Sequence, residues 1–409
     1  MTCPHAAATA ATTATVRTYP FGDHADLRLD PHYADLRATT PVARVRMPYG
    51  GEAWLLTRHA DVKKASADPR LSMHAAADQD VPRAAPRALD SVGLMGMPPE
   101  SHARLRRLVS RAFTARRVAA LRPRIAEITH HLIDDLVADG GPADLVSRLA
   151  LPLPTAVICE MLGIPRTDQH IFRAFTEALM SASRFTEEQV AQAAEEYADY
   201  LRGYVAQRRA HPEDDLLSAL IEARDEDGRL SENELLMLTG GMLVGGHETT
   251  ANQLAGQVLV LLDDDRRRYE RLVARPELVP AAVEELLRYV PLWASVGPSR
   301  VATEDVEIGG VTIRAGEAVV YSLASANRDE TVFDAPDDVV LDRDTNPHIA
   351  FGQGPHFCLG APLARAELQC ALEALTTRLP GLRLARPAAE LDWHRGMLVR
   401  GLVELPVTW

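Results

Sequence analysis

The chain has 409 residues, 46% of them hydrophobic, and a formal net charge of −13 at pH 7. That is enough apolar material for a large core, and the acidic balance argues against a general affinity for nucleic acid. Its four cysteines, Cys3, Cys159, Cys358 and Cys370, form neither a disulfide framework nor a paired zinc spacing over such a length.

Residues 1–18 are rich in Ala and Thr and lack the basic-then-apolar order of a signal peptide. They read as a flexible arm. No low-complexity linker follows, so residues 19–409 read as one large domain. No apolar run approaches the ~20 residues of a membrane span; the best candidates, residues 235–244 and 254–262, are broken by Gly, Thr and Gln. A cytoplasmic protein is expected.

Val42–Arg46 and residues 53–57 flank Tyr49-Gly50-Gly51 and predict a β-hairpin. From residue 103 to about 282 the pattern is mostly helical, with apolar residues at helical spacing in residues 121–138 and 189–209. Near the start of this region His102 and Arg106 stand at i and i+4, on one helix face. Arg104, Arg107, Arg111, Arg116 and Arg117 make a basic cluster in an otherwise acidic chain. It is either a solvated face or a docking patch for an acidic partner.

Ser231 with Glu234 has the spacing of a capping box. The apolar run after it, to about Leu262, predicts a helix roughly 45 Å long. Its middle, Gly240-Gly241-Met242-Leu243-Val244-Gly245-Gly246-His247-Glu248-Thr249-Thr250, is poor helix material. Such a helix is bent there, with Thr249 bonded back to a carbonyl one turn earlier, or approached closely by a ligand. His247 falls on another face and reads as a bystander. Farther on, Glu285 and Arg288 sit at i and i+3 on a helix starting near Pro280. Gly309-Gly310 marks a second hairpin, and a strand follows near Ala318–Tyr321.

The densest signal is Phe351-Gly352-Gln353-Gly354-Pro355-His356-Phe357-Cys358-Leu359-Gly360. A helix with Pro362 in its first turn follows. Cys358 therefore precedes a helix N-terminus, where free N–H groups and the helix dipole favour a thiolate. Glycines on both sides permit close approach of something flat. A lone thiolate in that setting suits an axial ligand to haem iron.

The alternation Phe351, Gly352, Gly354, His356, Cys358, Gly360 resembles the haem-binding signature FGxGxHxCxG of the cytochrome P-450 family, and the matching motifs run from about Arg17 to the C-terminus. The resemblance implies a mainly α fold with a minor β part, and haem b held between the long central helix and the cysteine-loop helix. It implies Cys358 as the proximal ligand, His356 at a propionate, and Phe351, Gly352 and Gly360 around the sulfur. Gly245, Gly246, Glu248 and Thr249 match the family's (A/G)-G-x-(D/E)-T, with Glu248 as acid relay and Thr249 as the hydroxyl of oxygen activation. Glu285 and Arg288 match Glu-x-x-Arg, with Arg343 as the third, structural member. Arg300 in Pro298-Ser299-Arg300, and His102 with Arg106, match propionate anchors. There the sequence departs from the usual form: Met97 stands in place of an Asp, and Ser101 is an extra residue.

The same resemblance places the substrate wall at Leu94, Met95, Met180, Met242, Leu243, Gly246, Trp293, Ala294, Val296, Met397 and Leu398. The implied activity is monooxygenation, hydroxylation or epoxidation of a small apolar molecule in secondary-metabolite tailoring. No flavin- or nicotinamide-binding segment is visible, so electrons are expected from a separate ferredoxin and ferredoxin reductase, docking at Arg104, Arg107 and Arg111. Oxidative coupling is an alternative outcome at the same haem. A peroxygenase carries Arg-Pro in place of the acid–alcohol pair in this family, and a haem-based sensor carries an output domain; neither is seen.

Overall fold

The computed structural model describes residues 16–22, 26–77, 79–86, 93–225 and 230–409. Its axis is the central helix, Glu232–Leu262. Both halves of the capping box form, Ser231 receiving the Glu234 N–H and Glu234 receiving the Ser231 N–H. The helices Pro152–Leu162, Gln169–Leu179, Glu187–Ala210, Leu216–Asp225, Val279–Tyr289 and Ala361–Arg378 all contact it. A helix surrounded in this way is apolar all round, which is why residues 235–262 show no clean polar stripe. The cysteine-loop helix, Ala361–Arg378, packs along Ala115–Asp139. A cavity of about 440 Å³ lies between the central helix on one side and the cysteine loop with its helix on the other.

The β part is small. One sheet orders Arg17–Thr18, Val42–Arg46, Glu52–Leu56, Ala318–Tyr321, Arg300–Ala302 and Leu71–Ser72. Both expected hairpins form, at Gly50-Gly51 and at Gly309-Gly310, and all four glycines have positive φ. Gly50 admits no other residue, since a Cβ there would lie 2.2 Å from the Val81 carbonyl oxygen. Residues 1–15 of the expected arm lie outside the described residues, and Arg17–Thr18 form an edge strand parallel to Val45–Arg46. No described helix is long and apolar enough to cross a membrane.

Glu285, fully buried on the helix Val279–Tyr289, ties three segments together. Arg288 donates to both its oxygens at 2.8 Å. Arg343 reaches them at 3.0 and 3.2 Å, and the Val340 N–H and Asn346 amide add bonds at 2.9 and 3.2 Å. Burial opposes the charge of Glu285, but these donors outweigh it and hold its carboxyl below the usual range. The clamp fixes the segment leading to the cysteine loop. Glu285→Ala would leave two guanidinium groups without their counter-charge. It is expected to cost about 3–5 kcal/mol, measured by urea unfolding; a cost under ~1 kcal/mol, the usual range of a surface pair, would show that the clamp is dispensable.

Candidate functional site

The cysteine loop is shaped by its glycines. Gly352 and Gly354 have φ of +74° and +75°. A Cβ on Gly354 would meet the Ser66 carbonyl oxygen at 2.6 Å. The Cys358 N–H bonds to the Phe351 carbonyl at 2.9 Å, closing the loop. The sulfur lies deep in the protein but opens onto the cavity. Burial raises the thiol pKa, while the Gly360 and Ala361 N–H groups and the charges of Arg106 and Arg365 work against it.

Beside the sulfur is a cluster of two guanidinium groups and two imidazoles. His102 and Arg106 reach the cavity from the helix Pro99–Ser110, and His356 reaches it from the loop. The His102 and His356 rings are 4.4 Å apart. Arg300, on the strand Arg300–Ala302, bonds to the Leu71 carbonyl and to the Tyr321 hydroxyl, both at 3.1 Å. Burial, then the charges of Arg300, His102 and Arg106, push His356 down to about 3. Burial and then Arg106 lower His102 as well. The His102 Nε2 and the Arg300 Nε are buried without a hydrogen-bond partner. No carboxylate hydrogen-bonds any of the four among the described residues.

Across the cavity, the central helix presents Leu238, Gly241, Met242, Gly245, Thr249 and Gln253, an i, i+3, i+4 series that marks one face. The Thr249 hydroxyl donates to the Gly245 carbonyl at 2.9 Å. The backward bond therefore exists, and it leaves the hydroxyl's lone pairs as acceptors at the cavity wall. Glu248 is off this face. It accepts from Asn252 at 3.0 Å, and burial, opposed by that bond, raises its pKa. The charges of Glu177, Arg173 and His394 also act on Glu248, and Arg184 bonds to the His394 Nδ1 at 3.2 Å and to Glu177 at 2.9 Å. His247 points away, buried edge-on to Phe172 with its Nδ1 on the Leu243 carbonyl.

The structure redistributes the expected substrate wall. Leu94, Met95, Met180, Met242, Gly246 and Trp293 line the cavity. Leu243 does not: it lies one residue off the cavity face and is 0% exposed. Ala294, Val296, Met397 and Leu398 are also behind the wall. The Ala294 N–H bonds to the Leu398 carbonyl, the Leu398 N–H to the Met180 carbonyl, and Ser181 pairs with Met397. Met180 and Trp293 reach the cavity, while Val296, Met397 and Leu398 are buried and Ala294 is half-buried. Gly246 lies at the wall, but a Cβ there would meet Ile158 at 3.1 Å, whereas one on Gly245 would meet nothing within 4 Å. Gly245 is the open position. In the basic cluster, Arg104 is ion-paired with Glu234, while Arg107 and Arg111 are exposed.

Three comparisons bear on this arrangement. The family model described as Cytochrome P450 matches residues 160–379. The chain is 51% identical to nocardicin C N-oxygenase of Nocardia uniformis subsp. tsuyamanensis over 96% of its length and 98% of that protein. It is 49% identical to the mycinamicin IV hydroxylase/epoxidase of Micromonospora griseorubida over 97% of its length and 100% of that protein. The chain is a cytochrome P450. Its fold follows that of a crystal structure of HinD with NMFT and NO at TM-score 0.94 and 48% identity, covering 97% of this chain and 100% of that one.

The cofactor of a cytochrome P450 is haem b, and the residues present fit it. The sulfur is exposed to the cavity it lines, and near it are two guanidinium groups with no carboxylate partner among the described residues and a buried, unpartnered His102 Nε2 and Arg300 Nε, which suits a dianionic group. A Cβ on Gly360, which lines the cavity, would meet no protein atom within 4 Å, so the protein's own packing does not demand glycine there. Cys358 would ligate the iron, and His102, Arg106, Arg300 and His356 would hold the propionates.

Two groups in this cytochrome P450 escaped the sequence reading. Glu284, next to Glu285, accepts from Arg365 at 2.7 and 2.8 Å and from His348 at 3.0 Å. Burial opposes its charge, but these donors bring it to about 2. Arg365 also stacks over Phe351 at 4.6 Å, so this pair braces the loop from behind. Glu367 is 1% exposed, lines the cavity and has neither oxygen partnered; burial raises its pKa well above the usual range. The Glu284 pair was hidden by the brighter Glu-x-x-Arg motif beside it. Nothing local marks Glu367.

Arg300→Leu and Arg106→Leu are expected to release haem faster to an acceptor such as apomyoglobin than the wild type does, by ~10-fold or more for a charge-assisted bond worth about 1.5–3 kcal/mol. Arg107→Glu is expected to leave that rate unchanged. Equal rates in all three would remove Arg106 and Arg300 from the propionate site.

Proposed function

We propose that this cytochrome P450 hydroxylates or epoxidises a bulky, mainly apolar secondary metabolite in the cytoplasm, with electrons from a separate ferredoxin and its reductase. The observation that carries the reading is Thr249, a hydroxyl at the cavity wall facing the cysteine loop and backed by the acid Glu248. Nocardicin C N-oxygenase and the mycinamicin IV hydroxylase/epoxidase, by their names, act on elaborate natural products.

Haem, when bound, supplies dioxygen activation and transfer of one oxygen atom to the substrate, and thiolate ligation favours cleavage of the O–O bond. The chain's residues do the rest. Methionine, leucine and tryptophan side chains exclude water and orient the substrate. The Thr249 oxygen, its proton engaged by Gly245, holds a water at the wall. Glu248 then passes protons from the side of Arg184, Glu177 and His394 to that water. A carboxyl with a raised pKa keeps part of its population protonated at higher pH, which suits a relay. Arg107 and Arg111 face outward on the helix whose other side holds His102 and Arg106. Charge there suits an acidic electron donor.

Nocardicin C and mycinamicin IV are the first ligands to screen, by displacement of water from the haem iron. With any ligand found, Thr249→Ala is expected to bind it normally but divert reducing equivalents into hydrogen peroxide. Glu248→Gln is expected to slow turnover by ~10²-fold. Unchanged product per electron in Thr249→Ala would reject the proposed proton route. Separately, Arg107→Glu should raise the KM for ferredoxin without altering substrate affinity, and the wild-type association rate should fall with salt, the Debye length being only ~8 Å at physiological strength. A salt-independent rate would move the docking site elsewhere.

A further inference from the structure

The glycine pair Gly240-Gly241 is not accounted for by the oxygen-activation motif one turn later. The structure shows what each glycine does. A Cβ on Gly240 would meet Leu201 at 3.1 Å and Tyr197 at 3.3 Å, and the Tyr197 hydroxyl donates to the Gly240 carbonyl at 3.0 Å. Gly240 thus seats the helix Glu187–Ala210 against the central helix. Gly241 faces the other way. A Cβ on it would lie 3.1 Å from the Cα of Gly93, whose own φ is +64°. Two bare backbones touch, with no side chain on either.

That contact separates two cavities. The larger, of about 440 Å³, is the haem and substrate cavity; a second, of about 300 Å³, lies beyond. Gly93 and Gly241 line both. The outer chamber is walled by Phe175, Leu201, Leu236 and Met237, and Asn233, which is exposed, stands at its edge. The Tyr197 hydroxyl is already committed to Gly240, so Asn233 is the polar side chain there left to meet a ligand.

We infer that the Gly93–Gly241 contact is a waist through which an elongated substrate extends, with its far end in the outer chamber. The occupant is the remote part of the same molecule whose reacting carbon lies in the inner cavity: an apolar body with a hydrogen-bonding terminus at Asn233. The two cavities meet at the same pair of glycines, which argues for one ligand rather than two. The absence of side chains means that only a backbone shift is needed to widen it. Met237 and Gly241 are therefore specificity-determining positions for molecule length. This rests on the larger cavity holding haem and substrate.

The test uses the haem-loaded protein and imidazole, 1-butylimidazole and 1-dodecylimidazole, followed by the Soret shift that nitrogen ligation causes. Affinity is expected to keep rising to the dodecyl chain, each buried methylene being worth about fourfold. Gly241→Val is expected to raise the ratio of the dodecylimidazole Kd to the imidazole Kd by ~10-fold or more, the loss of two or more methylenes. Met237→Trp, which fills the chamber without touching the waist, should produce the same selective loss. Gly203→Ala, at a helix position where a Cβ meets nothing within 4 Å, should change neither ligand. If Gly241→Val fails to fold or weakens imidazole equally, Met237→Trp decides alone. Wild-type dodecylimidazole binding in Met237→Trp overturns the inference and leaves the chamber a packing void. Failure of imidazole itself to shift the band would instead reject the haem reading beneath it.

Discussion

The proposed role of Cys358 sets the main constraint, a thiol that acts as a thiolate inside a low-dielectric interior. Burial alone would keep Cys358 protonated. What opposes burial is local: two N–H groups at the start of the helix Ala361–Arg378 and the charges of Arg106 and Arg365. Those groups work only if the loop before the helix is held still. Gly354 wedged against Ser66, the Glu285 clamp with Arg288 and Arg343, and Glu284 with Arg365 behind Phe351 supply that restraint. Buried ion pairs are weak evidence for net stability. Here the geometry suggests a different use, fixing the approach of a loop to a cofactor.

The cluster of guanidinium and imidazole groups is the counterpart of that arrangement. Among the described residues, His102, Arg106, Arg300 and His356 converge without a carboxylate bonded to any of them, and burial first, then the neighbouring charges, lowers the pKa of both histidines. The two carboxylates of haem would complement the two guanidinium groups. The opposite wall divides its labour by helical phase. One face of the central helix meets the cavity through Gly245 and Thr249. The adjacent positions hold Glu248 outward and His247 in the core. One turn earlier, Gly240 and Gly241 spend their bareness on neighbouring segments.

Much of this was legible because it is local. A glycine pair with positive φ forms a hairpin, a Ser and a Glu three apart cap a helix, and a Cys between glycines before a Pro-containing turn marks a helix N-terminus. Glu285 with Arg288 was legible as a pair because i and i+3 share a face. The errors are non-local. Ala294, Val296, Met397 and Leu398 were expected at the wall, but which side of an extended segment faces inward depends on register. Here that register is set by Ala294 bonding to Leu398, about a hundred residues away. Leu243 was misplaced by a single step of helical phase. The pairing of Arg104 with Glu234, which joins two helices far apart in sequence, was not legible either, though Arg104 stays exposed. Glu367 looks like any surface glutamate until the packing around it is known.

The central claim is that Cys358 is the ligand and is held as a thiolate, and the spectrum of the reduced protein under carbon monoxide tests it most directly. A Soret band strongly shifted to the red, as electron donation from a thiolate requires, is expected for the wild type, with its loss in Cys358→His at retained haem content. A wild-type band at the position typical of histidine-ligated haem would contradict the claim. So would a red-shifted band that survives in Cys358→His, which would transfer the role to Cys159 or Cys370.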